Sequence, residues 1–143
     1  MERWGDIKSE FDVDGSLRDI YVENTTENQW NHFINEISSS NFQITFTHGG
    51  VTKKLPNNFQ DIKKLQEENP TTLAILLDNN ILVHCHFFII SEIELDITPE
   101  HINDENGYNA MLSFINWLSS ILDHIVILTH ENAKDMVILK SRP

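Results

Sequence analysis

The chain is 143 residues long with 40% hydrophobic and 22% charged residues, one globular domain's worth of sequence and not a disordered tail. Ten Lys and Arg against 22 Asp and Glu leave a formal net charge of −12, which disfavours contact with a nucleic-acid backbone or an anionic membrane by plain repulsion. The single cysteine, Cys85, excludes an internal disulfide framework and a multi-cysteine zinc site.

In chain order, the residues Met1-Glu2-Arg3-Trp4-Gly5-Asp6 show no basic segment leading into an apolar run. The longest apolar stretches also fall far short of the roughly 20 residues a bilayer span needs, so a cytoplasmic protein is expected. Ile7, Ser9, Phe11 and Val13 then alternate with more polar residues. With Asp14-Gly15 as a tight turn and Ser16–Val22 returning, they predict an opening β-hairpin. Thr26 and Gln29 have capping-box spacing. Trp30, Phe33, Ile34 and Ile37 recur at helical intervals behind them, so a helix is expected there, closed by the serines 38–40.

Phe42, Ile44 and Phe46 alternate as a strand that stops at Gly49-Gly50. A short helix over Phe59–Glu68 ends before Pro70. Two β runs follow, Thr72–Leu77 and Ile81–Ile97, joined by the turn-prone Asp78-Asn79-Asn80. In the second run the odd positions from Ile81 to Ile97 are nearly all apolar. Its even positions pass from Leu82, His84, His86, Phe88 and Ile90 to Glu92, Glu94 and Asp96, which predicts one long strand, or two joined by a bulge. A long helix over Asn103–Asp123 carries a wide apolar face, and Ile125–Thr129 with Met136–Lys140 suggest a closing hairpin. The order ββαβαββαββ implies one α+β domain, an antiparallel or mixed sheet with about three helices mainly on one face.

No catalytic signature emerges. His84 and His86 share a strand face but lack further metal ligands, and Cys85 points to the opposite, apolar side, where its thiol is inert. Asp12-Val13-Asp14-Gly15-Ser16 does not keep the spacing of a calcium loop, and Gly49-Gly50 is no phosphate loop. The expectation is therefore a non-enzyme without cofactor or metal. What stands out is acidity at two places. Asp12, Asp14, Asp19 and Glu23, with Tyr21 among them, belong to the first strand region, and Glu92, Glu94 and Asp96 line one strand face. Gathered carboxylates of this kind suit docking of a basic partner, whose approach they steer.

The stretch Ser9-Glu10-Phe11-Asp12-Val13-Asp14-Gly15-Ser16-Leu17-Arg18-Asp19-Ile20-Tyr21-Val22, continued by Asn24-Thr25-Thr26 and Trp30, resembles the opening of small bacterial immunity proteins. Those are encoded beside polymorphic toxins, including the toxins of contact-dependent growth inhibition. The resemblance implies a cytoplasmic antidote that binds one cognate toxin domain, commonly a basic nuclease, and blocks its active site. It carries over no contact residues, since those surfaces differ between members. The expected docking residues are thus the acidic ones, Asp12, Asp14, Asp19, Glu23, Glu92, Glu94 and Asp96, with Tyr21, and also Trp4 and Trp30 where exposed, as aromatic anchors. Two other readings remain: a small hydrolase using His84 and His86 with nearby carboxylates, and an adaptor self-associating through a strand near Met136–Lys140.

Overall fold

The computed structural model describes residues 2–143; Met1 lies outside them. A short helix α1 (Trp4–Ile7) runs into a 3-10 turn (Lys8–Phe11), after which strand β1 (Arg18–Glu23) begins. Then come α2 (Glu27–Ser39), β2 (Gln43–His48), β3 (Val51–Lys53), α3 (Phe59–Gln66), β4 (Thr71–Leu76), β5 (Leu82–Cys85), β6 (Glu92–Ile97), α4 (Glu105–Leu122), β7 (Val126–His130) and β8 (Ala133–Ser141). The eight strands of the described residues form one sheet in the order β3-β2-β4-β5-β6-β1-β7-β8, every neighbouring pair antiparallel. The molecule is α+β, as the patterning implies, with four α-helices among the described residues where about three were expected.

Period-2 alternation sorts each strand into two faces. Ile20, Val22, Phe46, Leu73, Ile75, Val83, Cys85, Ile93, Leu95, Ile97, Val126 and Leu128 point to one side, where they are buried with the apolar stripes of the helices in one continuous core. Helix α2 contributes Trp30, Phe33, Ile34 and Ile37, and its N-terminus carries the full Thr26–Gln29 capping box. Helix α4 starts at Asp104, whose carboxylate accepts the Gly107 amide, and stops at Asp123 in the left-handed region (φ 51°).

Two expectations are corrected. The opening hairpin does not form: Ile7 and Phe11 are buried four residues apart on helical turns, while Val13 is 70% exposed. Nor has such a strand a place to pair, because both edges of β1 are taken, by β6 and β7. The run Ile81–Ile97 is neither one long strand nor two joined by a bulge: it is two strands, β5 and β6, folded back on each other as a hairpin. The reversal begins at Phe87, whose φ of +54° puts an aromatic residue in the left-handed region. The alternation conceals this break because the hairpin pairs odd residues with odd, Val83 opposite Ile97 and Cys85 opposite Leu95. Both arms therefore show the core the same parity, and the pattern runs on without a phase change. The element order accordingly departs from ββαβαββαββ at these two places and adds β3.

Candidate functional site

The sheet face away from the helices gathers the acidic residues. Strands β1 and β6 are neighbours, and their register sets Asp19 opposite Asp96, Tyr21 opposite Glu94, and Glu23 opposite Glu92. Five carboxylates from segments some seventy residues apart thus form one strip. Like charges directly opposite each other on a ladder destabilise it, so the strip needs compensation.

Compensation comes from both flanks. On the β5 side, His86 Nε2 lies 2.5 Å from Asp96 Oδ2 and His84 Nδ1 lies 3.8 Å from Oδ1. The hydrogen bond to Asp96 raises the His86 pKa against the opposing effect of burial. On the other side Lys134, the second residue of β8, bonds Glu92 and lies 3.9 Å from Glu23, its ammonium 4.9 Å from the centre of the Tyr21 ring. Glu92, first among its neighbours, raises the Lys134 pKa.

That contact reveals a shape the sequence pattern conceals. Lys134 belongs to β8, three interstrand spacings (about 14 Å) from β6, further than a lysine side chain reaches. The first half of β8 therefore bends over the strip, at register shifts beside Thr129, as bulged strands do. The turn before it comes too: the Asn132 amide donates to Asp19 Oδ2 at 2.8 Å, and Glu131 accepts the Leu17 amide at 2.8 Å. Under this arm Asp19, Tyr21, Ile127 and Thr129 are buried. The Tyr21 hydroxyl donates to Asp19 at 2.9 Å, and burial, with Asp19 beside it, pushes the phenol up. Burial likewise raises the Asp19 and Glu94 carboxyls, and Asp19's charge adds to the rise at Glu94. Beside the arm a groove of about 340 Å³ opens, with Tyr21 and Ile127 at its floor and Glu23, His124 and Lys140 along it.

The other expected docking residues lie elsewhere. Asp12 and Asp14 sit in the segment before β1, gathered by Arg18, which faces the helix side. The Arg18 guanidinium is 1% exposed and donates to the carbonyls of Glu10 (2.7 Å), Leu17 (3.0 Å) and Asp12 (3.2 Å), with Asp14 Oδ2 at 3.6 Å. Asp14 accepts from the Ser16 hydroxyl and amide, which hold its carboxyl down to about 2. Trp30 is core, and Trp4 lies half-buried against Phe11 and Tyr108. The eight acidic-region residues thus divide into a strip of six and an outlying pair, and two of the six, Asp19 and Tyr21, lie beneath the β8 arm.

Cys85 is fully buried on the helix side, where burial pushes its thiol far up. Among the described residues no group of three or more His, Cys, Asp or Glu is placed to hold a metal ion, and no helix is long and apolar enough to cross a membrane.

Pattern reading missed the loop between β5 and β6. Phe88, Ile89 and Ile90 are consecutive, 56, 52 and 40% exposed, where alternation placed them on a half-covered strand. Only the breakdown of alternation at Phe87-Phe88, two aromatics in sequence, hints at a turn.

No family model matches the chain, and neither the curated proteins nor the solved structures searched contain a significant match.

Proposed function

We propose that this chain is an immunity-type inhibitor, working in the cytoplasm, that binds a basic toxin domain and covers its active site. The observation that carries the reading is the β1–β6 register, which joins Glu23, Glu92, Glu94, Asp19 and Asp96 into a single strip in a chain of net charge −12. A cleft built to attract phosphates presents Lys and Arg; such a strip draws it in by long-range attraction, and Glu23 with the partly exposed Glu92, Glu94 and Asp96 competes for its cations. Lys134 already shows the strip holding an ammonium group between two carboxylates and an aromatic face.

The hydrolase reading draws on the His86–Asp96 pair. It lacks a thiol to activate, since Cys85 faces the opposite side of the sheet. Replacing His84 and His86 by Ala would have to abolish an activity for that reading to stand. Titration calorimetry and gel filtration with the protein encoded immediately upstream test the inhibitor reading directly. A 1:1 complex that weakens with added salt and silences the domain's activity is the expected result. A folded basic domain that neither co-elutes nor gives heat ends the proposal.

A further inference from the structure

Three consecutive exposed apolar side chains at a hairpin tip are costly in water unless something covers them, and a flexible tip would fold them inward. This tip is not free to do so. The His86 and Phe87 carbonyls accept from Gln66 Nε2 (3.3 and 3.2 Å), and those of Phe87 and Phe88 from Lys63 Nζ (3.3 and 3.0 Å). The Ile89 carbonyl accepts from Trp30 Nε1 (3.0 Å), that of Ile90 from the Thr25 hydroxyl (2.8 Å) and that of Ser91 from the Thr25 amide (3.1 Å). Six carbonyls in succession are thus tethered from α2, α3 and the end of β1. Phe87, at φ +54°, is rooted in the core against Trp30 and Phe46. The backbone is held while the side chains of Phe88, Ile89 and Ile90 stand outward.

The tip is continuous with the acidic strip. Phe88 stacks on the His86 ring (centroids 5.1 Å apart, 9° between planes), and His86 holds Asp96. Ile89 bridges to Glu92, which faces Glu23 across the ladder. A rigid apolar knob, bordered by carboxylates on the side of the strip and by Lys63 on the side of α3, is an arrangement in which a few buried anchors supply affinity and the carboxylates supply approach.

We infer that the Phe88-Ile89-Ile90 tip is the apolar anchor by which this protein seats in its partner, a basic protein offering an apolar socket rimmed by Lys or Arg. The inference rests on the inhibitor reading and names the residues that hold the complex once it has formed. A second copy of this chain suits the tip less well, because two bodies of net charge −12 repel and the carboxylates beside the tip would meet their own kind.

The test measures association and dissociation rates with the protein encoded immediately upstream, across a salt series, and compares the unaltered protein with a Phe88→Ser/Ile90→Ser variant. Both side chains are exposed, so the variant should keep its thermal midpoint, and Phe88→Leu serves as the conservative control. The inference expects the double variant to dissociate at least about 100-fold faster with an unchanged salt slope, and Phe88→Leu to stay within about 10-fold. Unchanged dissociation in the double variant overturns the anchor while leaving the inhibitor reading intact. Absence of any complex with the unaltered protein overturns both. A dimer in light scattering that the double variant converts to monomer also overturns it, since the occupant would then be a second copy.

Discussion

Asp19 and Asp96 stand directly opposite each other on adjacent strands, yet each carboxylate is answered from a different side. Asp19 accepts from the Tyr21 hydroxyl and the Asn132 amide under the β8 arm, and Asp96 pairs with His86 from β5. A like-charged pair at the centre of the sheet is thereby tolerated through two independent sets of donors, and the pH response of the fold follows from them.

Burial raises the Asp19 and Glu94 carboxyls, so the folded chain keeps protons that the unfolded chain releases, and stability falls as pH climbs from the ordinary carboxylate range through the raised values. His86 works in the same direction. Its stabilisation is complete below the ordinary value of 6.5 and is lost as pH rises through the raised folded value. Thermal unfolding should therefore show a higher midpoint at about pH 6 than at about pH 8.5, by roughly 2–4 °C for each 1 kcal/mol. His86→Gln should flatten the change above pH 6. A midpoint that climbs steadily into the alkaline range contradicts the assignment.

Lys134 meets both Glu92 and Glu23, and it tethers the β8 arm over Tyr21. Lys134→Gln should cost about 1 kcal/mol, counting a partly exposed ion pair and a cation–π contact, and the loss should shrink in high salt. Urea unfolding at low and at about 0.5 M salt reads both numbers. A deficit indifferent to salt would mean that the arm is held by its backbone alone.

Arg18 collects the carbonyls of Glu10, Asp12 and Leu17 from a buried position. Arg18→Met leaves those carbonyls without their donor and should cost about 2–4 kcal/mol. Cleavage by a protease should then begin within residues 8–17 under native conditions. Unfolding in denaturant combined with mass spectrometry of the first cut checks both parts.

Phe87 offers an ordering test. Removing its buried ring should cost about 3–5 kcal/mol in either small variant, but at φ +54° glycine is the less strained replacement. Phe87→Gly should therefore be more stable than Phe87→Ala by about 1 kcal/mol, the reverse of the usual strand ranking. Equal stabilities would show that the loop relaxes out of the left-handed conformation when the ring is gone.

Local signals were legible where one side chain answers another nearby. The Thr26–Gln29 box and the Trp30, Phe33, Ile34, Ile37 stripe lead to α2 as observed, and the parity of Ile93, Leu95 and Ile97 places Glu92, Glu94 and Asp96 on the opposite face. Each half of the acidic strip could be read from alternation alone. That the halves touch could not, because the β1–β6 neighbourhood depends on pairing across the whole chain, which no periodicity encodes. Ile7 and Phe11 satisfy both a two-residue and a four-residue repeat, and only the occupied edges of β1 decide between them. The β8 arm was concealed for a related reason: its bend comes from bulges at Thr129, and the cation it delivers looks like any surface lysine.

The place of β1 in the sheet bears on how the protein is made. This strand leaves the ribosome before the other seven, yet both of its neighbours, β6 and β7, follow it by some seventy residues or more. β2 to β6 can zip together as they emerge, each beside a strand close to it in sequence, while Ile20 and Val22 stay wet on an unpaired segment until β6 appears. β1 is closed in only when β6 and β7 arrive, so translation products cut short before them should expose an orphan strand that chaperones and proteases recognise.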